Sequence, residues 1–490
     1  MLVSGCATLE PIALPASYAQ PPSEAPLWLG LAEIRTDDWV ELLNTHEEAL
    51  EWRLRAIDSA TQSIDLQTFL WDDDEVGLTI LRHVFDAADR GVKVRLLLDD
   101  TFTISHAAEI WNISHHQNIE YRVYNPFLRR VDGFFLRQFM NLGDFARLNH
   151  RMHNKVLIVD GRVAISGGRN LANEYFGAHE EANFRDLETV SAGIHVKALS
   201  DLFDTFWNNP WTFPEDRLQS KPIGTRTPKE FAEWMETHVE RGINETDSVR
   251  GLAWRELVES ALPAEIDLIA DMPAPSDPGN KDEFPNQLAI ELAPLLEAAE
   301  EEIILVSAYL IPTPELEAVI QGAEDRGVSV TILTNSLQST NHISAHSAYR
   351  NHLKQLLADG ADVHEVRPYA KDRTRYMRQP VEEKQLGLHA KFLLIDDDTV
   401  FIGSPNLDPR SLRLNTEMAL LITSEAMNQR LRSMIVSDFS RRNAWQLEQQ
   451  SNGSIHWLSD EERLTKQPAA SNFQRLEDWF LSLLPVEDQL

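Results

Sequence analysis

One stretch of the chain occurs twice, and that repetition limits the folds open to it. The first copy reads His153-Asn154-Lys155-Val156-Leu157-Ile158-Val159-Asp160, followed by Gly167-Gly168-Arg169-Asn170. The second reads His389-Ala390-Lys391-Phe392-Leu393-Leu394-Ile395-Asp396, followed by Gly403-Ser404-Pro405-Asn406. Each landmark of the second lies 236 positions after its counterpart (389 against 153, 391 against 155, 396 against 160, 406 against 170). The register holds upstream as well, where Asp89-Arg90-Gly91-Val92 maps onto Asp325-Arg326-Gly327-Val328. This is the mark of a duplicated domain, and what is duplicated is a polar cluster beside an apolar, strand-like run.

Hydrophobic spacing fills in the unit. In the first half an amphipathic helix starting near Trp39 runs into an alternating strand that ends near Thr68. A helix from Gly77 to Arg90 closes on Gly91, and Val92–Leu98 reads as a buried strand. In the second half Leu288–Ala299 is helical, Glu302–Ile311 a strand, Glu315–Arg326 a helix closed by Gly327, and Val328–Leu333 a strand. Strand, helix, strand in that order predicts βαβ units in a largely parallel sheet. The spacing also predicts helices over 220–260, around Ala426–Trp445, and at the end of the chain through Leu484. Prolines at 273, 275 and 278 mark Pro263–Pro285 as linker and loop. With 490 residues, each half can bury its own core. The expected division is therefore a flexible tail over 1–30, one lobe over 31–250 with its motif at 148–175, and a second over 251–490 with its motif at 384–411.

The formal net charge is −32 at pH 7, which argues against a surface that coats nucleic acid. No apolar run approaches the ~18 residues of a membrane-spanning helix. The one cysteine, Cys6, excludes an intrachain disulfide and a cysteine metal cluster. Val3-Ser4-Gly5-Cys6 resembles a lipobox, in which the cysteine is acylated and the proline-containing stretch behind it acts as a tether. The other reading is a free cysteine in a tail, since five residues before it fall short of a signal peptide's basic start and apolar core.

Side chains two apart on a strand share a face, so His153 emerges with Lys155 and His389 with Lys391. That set suits attack on a phosphodiester. Imidazole is nucleophilic and titrates near neutrality, at about 6.5 when unperturbed. One histidine can take phosphorus as a covalent phosphohistidine while the other moves the proton of the leaving and incoming oxygens. Two ammonium groups and the amides of Asn170 and Asn406 can stabilise charge on the non-bridging oxygens. This scheme needs no metal and no cofactor. Asp160-Gly161 carries the signature of a hairpin turn, with Asp396-Asp397 in the matching place. Seven residues from its histidine, each aspartate has the wrong strand parity to share its face, and reads as structural. Carboxylates to orient the imidazoles are sought on neighbouring strands, Asp186 for His153 and Glu417 for His389.

The paired His-x-Lys-x4-Asp motifs with Gly-Gly/Ser-x-Asn resemble the phospholipase D superfamily. Within it, the chain is similar to bacterial cardiolipin synthase-like proteins of the lipoprotein-like branch. The likeness runs over roughly residues 40 to 490, through Gly143–Met152 before the first motif, Asn173-Glu174-Tyr175-Phe176 after it, Leu407-Asp408-Pro409-Arg410-Ser411 after the second, and Leu483–Glu487. It implies an α/β fold of two similar lobes, each a mixed sheet flanked by helices, related by a pseudo-twofold with one shared active site. It further implies a catalytic set of His153, Lys155, Asp160, His389, Lys391 and Asp396, with His153 as nucleophile and His389 as general acid. Ser404, with Asn170 and Asn406, would bind phosphate; Gly168 at the matching place lacks that hydroxyl. The activity implied is a phosphatidyltransferase or phospholipase D acting on phosphatidylglycerol or a similar phospholipid, membrane-associated in a bacterial envelope. A nuclease or other phosphodiesterase of the same superfamily, and a catalytically silent lipid-binding envelope protein, are the alternatives. Arginines 122, 129, 130, 137, 147 and 151 among phenylalanines, and Arg367–Arg378 in the second half, suit an anionic lipid interface. They suit equally an ordinary loop whose arginines pair with carboxylates.

Overall fold

A computed structural model describes residues 9–102, 112–131, 133–218, 225–273, 287–484 and 487–489. The strands in chain order begin with β1 (Trp39–Leu43), β2 (Ser63–Thr68), β3 (Lys93–Asp99), β4 (Ile119–Tyr124), β5 (Val156–Val159) and β6 (Val163–Gly167). They continue with β7 (Ala182–Arg185), β8 (Glu188–Ala192), β9 (Thr212–Pro214), β10 (Leu262–Pro263), β11 (Glu265–Ala270), β12 (Glu302–Val306), β13 (Ser329–Asn335) and β14 (Asp362–Val366). The last are β15 (Gln385–Leu388), β16 (Phe392–Ile395), β17 (Thr399–Gly403), β18 (Met418–Thr423), β19 (Ala444–Gln449), β20 (Ile455–Leu458) and β21 (Arg463–Leu464).

Two large mixed sheets result. The first runs β10-β1-β8-β6-β5-β2-β3-β4-β9, the second β11-β18-β17-β16-β12-β13-β14-β19-β20-β21. From β1 to β9 and from β11 to β19 the order is the same, so the duplication read in the sequence is a duplication of topology. Only the β2-β3-β4 and β12-β13-β14 triplets are parallel among the pairings of these two series. They are the βαβ units, with helices Glu75–Asp89, Pro314–Arg326 and Ile343–Asp359 among their crossovers. Each lobe has an outer core under these helices. A third core lies between the lobes: Val156, Ile158, Phe203 and Trp207 from the first pack with Phe392, Leu394, Leu420 and Leu431 from the second. A sheet buried on both faces explains why β5 and β16 are apolar at every position. The lobes are also joined through the backbone, since β7 pairs in parallel with β15.

Several boundaries differ from expectation. Trp39–Leu43 is a strand, paired antiparallel with β8, and the helix begins at His46 behind a Thr45–Glu48 capping box. Trp445 lies in β19, the preceding helix having ended at Ile435. The chain leaves the first sheet at Pro263 and enters the second at Glu265, so the helix Asp247–Ser260 belongs with the first lobe, where its Trp254 is buried against Trp28 and Trp52. The segment expected to be a loose tail contains the helix Pro26–Ile34, and Cys6 lies outside the described residues.

Asp160 shows what fastens that helix. It sits at the hairpin between β5 and β6 with φ 54°, followed by Gly161 at φ 62°, the double left-handed geometry of a tight β-hairpin. Its carboxylate accepts from Trp28 Nε1 (2.7 Å), from the Thr61 amide (2.9 Å) and hydroxyl (2.6 Å), and from the Gln62 (2.7 Å) and Ser63 (2.8 Å) amides. Asp396, φ 50°, does the same for the amides of Glu300, Glu301 and Glu302. Five donors lose their acceptor in Asp160→Ala, those of Trp28 and Ser63 in buried bonds, and buried donors left unpaired are costly. The variant is expected to lose about 3 kcal/mol of stability, read as a lower urea midpoint by tryptophan fluorescence.

Candidate active site

The two motifs meet where the lobes meet. The Met152–Thr416 bridge sets one side: the His153 amide donates to the Thr416 carbonyl (2.9 Å) and the Thr416 amide to the Arg151 carbonyl (2.9 Å). The β7–β15 pair sets the other: the amides of His389 (2.8 Å) and Ala390 (3.1 Å) both donate to the Arg185 carbonyl. The residue that follows each of these backbone partners is a carboxylate, Glu417 on one side and Asp186 on the other.

Those carboxylates are crossed. His153 Nδ1–H donates to Glu417 Oε2 at 2.8 Å, and His389 Nδ1–H donates to Asp186 Oδ2 at 2.6 Å. Each carboxylate was expected to serve the histidine of its own lobe; the structure exchanges them, because the backbone just before each carboxylate pairs with the chain that leads into the opposite lobe's motif. The donor assignment follows from the ionised carboxylates and leaves the lone pair on Nε2.

Lys155 and Lys391 fold back on their own histidines, each donating to the histidine carbonyl, at 2.6 Å for Lys155. All four side chains are buried and act on one another across the interface: Lys391 disfavours the charged form of His153, and Lys155 that of His389. Burial lowers Lys155 to about 7 against the pull of Glu417, with Lys391 adding to the drop. Burial lowers Lys391 to about 8 although Asp186, Glu417 and Asp408 pull it up. Both histidines are held below their usual value, His153 by burial in spite of Glu417, His389 by burial and Lys391 in spite of Asp186. For the carboxylates burial is the largest single effect and pushes upward, but His153, Lys155 and Ser404 together outweigh it at Glu417, and His389, Lys391 and Arg169 at Asp186, so both end below the usual range. The resting site thus holds two neutral imidazoles, two carboxylates and two lysines whose protonation is delicately set.

An anion placed between the lysines favours their ammonium forms. Sulfate binding is therefore expected to take up more protons at pH 8.5 than at pH 6, where both lysines are already charged and only the histidines can gain one. Calorimetry in two buffers of different ionisation enthalpy reads the difference; equal uptake at both pH values places the lysines away from the anion.

The other expected site residues divide. Asn170 and Asn406 are buried, and the side-chain carbonyl of each has no hydrogen-bond partner in the chain. Ser404 does not present a free hydroxyl: it donates to Glu417 Oε2 (2.5 Å) and accepts from the Met418 amide (3.0 Å). Its place is behind the carboxylate that holds His153. Gly168, its counterpart, has no room for a side chain, because a Cβ there would fall inside Asp186 Oδ1. Gly168→Ala is expected to displace Asp186 from His389 and to lower turnover about a hundredfold; Ser404→Ala, which removes one donor, is expected to cost about tenfold. Steady-state rates at saturating substrate compare the two. Asp160 and Asp396, carried into the catalytic set by the motif, lie at the far ends of β5 and β16 with their carboxylates committed to the turns described above, apart from the histidine cluster.

Three residues to which the sequence assigned no role in the site complete the surroundings. Phe69 stands edge-on to His153 at 5.0 Å and Tyr175 edge-on to His389 at 4.9 Å. Asp408 is buried and pushed up to about 7, by burial first and by Glu417. It caps the helix Pro409–Arg413, and Asp-Pro at a helix start was its signal. The arginine-rich segments do not form a basic face: Arg122 pairs with Glu120, Arg130 with Asp100 and Glu215, Arg147 with Asp144, Arg151 with Asp99, Arg367 with Asp460 and Glu461, and Arg373 with Glu383. Among the described residues no group of three or more His, Cys, Asp or Glu side chains is arranged to hold a metal.

Comparison with known proteins supports the duplicated reading. A family described as "Cardiolipin synthase, PLD-like domain" matches residues 54–207 and 292–439. Cardiolipin synthase C of Escherichia coli (strain K12) is 34% identical over 454 residues, covering 90% of this chain and 93% of that protein. Cardiolipin synthase B of Shigella flexneri is 24% identical over 402 residues, covering 81% and 79%. Among solved structures, the phosphatidylserine synthase of Haemophilus influenzae Rd KW20 has the same fold, with a TM-score of 0.59 at 14% identity over 92% of this chain and 95% of that one.

Proposed function

Because the chain belongs to the cardiolipin synthase family of phospholipase D-like proteins, we propose that it transfers phosphatidyl groups between membrane phospholipids through a phosphohistidine, joining one to the primary hydroxyl of phosphatidylglycerol to give cardiolipin. The observation that supports this reading is the crossed pair of hydrogen bonds, which gathers both imidazoles and both lysines at one lobe interface.

The steps follow from that arrangement. The donor phosphodiester binds against Lys155 and Lys391, with the amides of Asn170 and Asn406 on its oxygens. Its negative charge draws a proton onto His389, whose imidazolium Asp186 stabilises. His153 Nε2 then attacks phosphorus: a P–N bond forms, the P–O bond to the leaving alcohol breaks, and His389 gives that alcohol its proton. Glu417 stabilises the charge that develops on His153. In the second half-reaction His389, now neutral, removes the proton of the incoming hydroxyl as its oxygen attacks phosphorus; the new P–O bond forms and His153 leaves. No net proton is consumed.

Incubation of the purified protein with phosphatidylglycerol vesicles is expected to yield cardiolipin and glycerol by mass spectrometry, at the same rate with and without a chelator. Phosphatidic acid as the main product would make water the acceptor. Plasmid cleavage without lipid turnover would favour the nuclease alternative, against which the acidic total speaks. The same reading sets the protein at a bacterial envelope membrane. No described helix is long and apolar enough to cross one, and acylation of Cys6, tested by incorporation of labelled palmitate in the native chain and in Cys6→Ser, is the anchor proposed.

A further inference from the structure

Two stretches of the chain display apolar residues where a water-facing surface would be polar. The helix Asn472–Leu481 is built with its faces reversed. The residue it buries is Asp478, held by His346 (3.0 Å), Ser347 (3.1 Å) and Arg350 (3.0 Å), while Phe473, Leu476, Trp479 and Phe480 are exposed, Phe473 at 73%. Leu483 and Leu484 extend the face beyond it. In the first lobe, Leu136, Phe139, Met140, Leu142 and Phe145 are exposed between residues 136 and 145, Phe139 at 69%. A helix on the surface of a water-soluble protein turns its apolar stripe inward; one that turns it outward has an apolar partner.

These faces are neighbours, and they adjoin the histidine cluster. Asn149, one residue past the helix Phe145–Leu148, donates to Gln489 Oε1 (3.0 Å), and Arg410 bridges the two by donating to Asn149 Oδ1 (2.9 Å) and to the Gln489 carbonyl. Arg410 belongs to the helix that begins three residues after Asn406, and Asn149 lies four residues before His153. On the first-lobe side Arg137 donates to the Thr101 carbonyl (2.8 Å), next to the exposed Phe102, whose ring stands edge-on to Phe69 (5.4 Å), the ring that abuts His153. A run of aromatic side chains therefore leads from the apolar rim to the proposed nucleophile.

Charge selects the occupant. The arginines within these stretches are turned away from the face: Arg137 onto the carbonyls of Asp100 and Thr101, Arg147 onto Asp144 and the Pro126 carbonyl, and Arg475 onto the Gln467 carbonyl and Asn472. A chain of net charge −32, with Arg410 at this rim already held by Asn149 and Gln489, gains little from the electrostatic attraction that draws basic proteins to anionic surfaces. What it can offer a membrane is apolar insertion.

We infer that residues 136–145 and 473–484 form one docking face that inserts among the acyl chains of a phospholipid surface and sets the mouth of the lobe interface on it. The inference rests on the phospholipid-transfer reading, and supplies what that reading needs: a way to take a lipid headgroup without lifting its tails through water.

The test is flotation with vesicles of phosphatidylcholine alone, at low and at molar salt. The native chain is expected to float at both. The double variant Phe139→Glu/Phe480→Glu is expected to bind about tenfold more weakly or worse, while turning over short-chain phosphatidylglycerol, offered as monomers, at the native rate. Undiminished flotation of the variant overturns the inference, and so does native binding restricted to anionic vesicles at low salt. A native dimer that the variant dissociates assigns the face to a second copy instead, and loss of monomer turnover in the variant assigns it to the site itself. Phe139→Ser/Phe480→Ser repeats the comparison where glutamate disturbs the fold. Native flotation with no lipid turnover leaves the face standing and removes the transfer chemistry, so the two failures are distinct.

Discussion

His153→Asn is expected to reduce lipid turnover by about four orders of magnitude or more, because it removes the group proposed to carry the covalent intermediate. His389→Asn is expected to cost about two to four orders, the usual worth of a well-placed proton donor and acceptor. The two losses differ in kind. A phosphodiester with a 4-nitrophenolate leaving group needs no proton to depart. In a single turnover, His389→Asn should recover most of the native burst of nitrophenolate with that substrate, and His153→Asn should release none. The reverse pattern would exchange the two roles. A double variant should be little worse than His153→Asn alone, since the two groups act in one sequence of events.

The crossed carboxylates make the second prediction. Glu417→Gln and Asp186→Asn keep the shape of each side chain but remove the charge that fixes an imidazole tautomer and stabilises its cation. Each is expected to lower turnover by about two to four orders of magnitude, the range set by loss of such a partner in other histidine-dependent enzymes. The leaving-group test shows which histidine each one serves. Asp186→Asn, in the first lobe, should behave as His389→Asn and be rescued by nitrophenolate. Glu417→Gln, in the second, should behave as His153→Asn and stay inactive. Were each carboxylate to serve the histidine of its own lobe, the rescued and unrescued variants would trade places.

Much of this was legible in the residues. The constant offset between the motifs announced two equivalent lobes, whereas the strand parity expected of His153 with Lys155 and His389 with Lys391 does not apply as stated, since both pairs lie just before β5 and β16 rather than within them. The partners of the histidines were not legible, because periodicity reports which face of its own strand a side chain occupies and says nothing about which lobe that face meets. Asp186 and Glu417 were found as the relevant carboxylates on neighbouring strands, and only the docking of β7 on β15 and of Met152 on Thr416 decides the exchange. Ser404 illustrates the same limit: its hydroxyl suits a phosphate as well as a carboxylate, and its proximity to Glu417 appears only in three dimensions. Composition left two readings level at the arginine-rich segments, and the structure favours the one in which they pair with carboxylates. Composition counts cations but not their direction, and here they are spent on internal carboxylates and carbonyls. At Pro26–Ile34 it pointed to a loose tail, where Trp28 in fact reaches the Asp160 turn.

The exchange of carboxylates has a consequence for how such a chain can be divided. Severed at Ala264, where the chain passes from one sheet to the other, each piece would retain a complete motif yet present an imidazole with no acid to steady it. Neither fragment alone is half an enzyme; reunited in solution, the two would restore both proton relays in a single event. Ancestry by doubling is thus sealed in place here, for neither copy can decay or be discarded without disarming its twin.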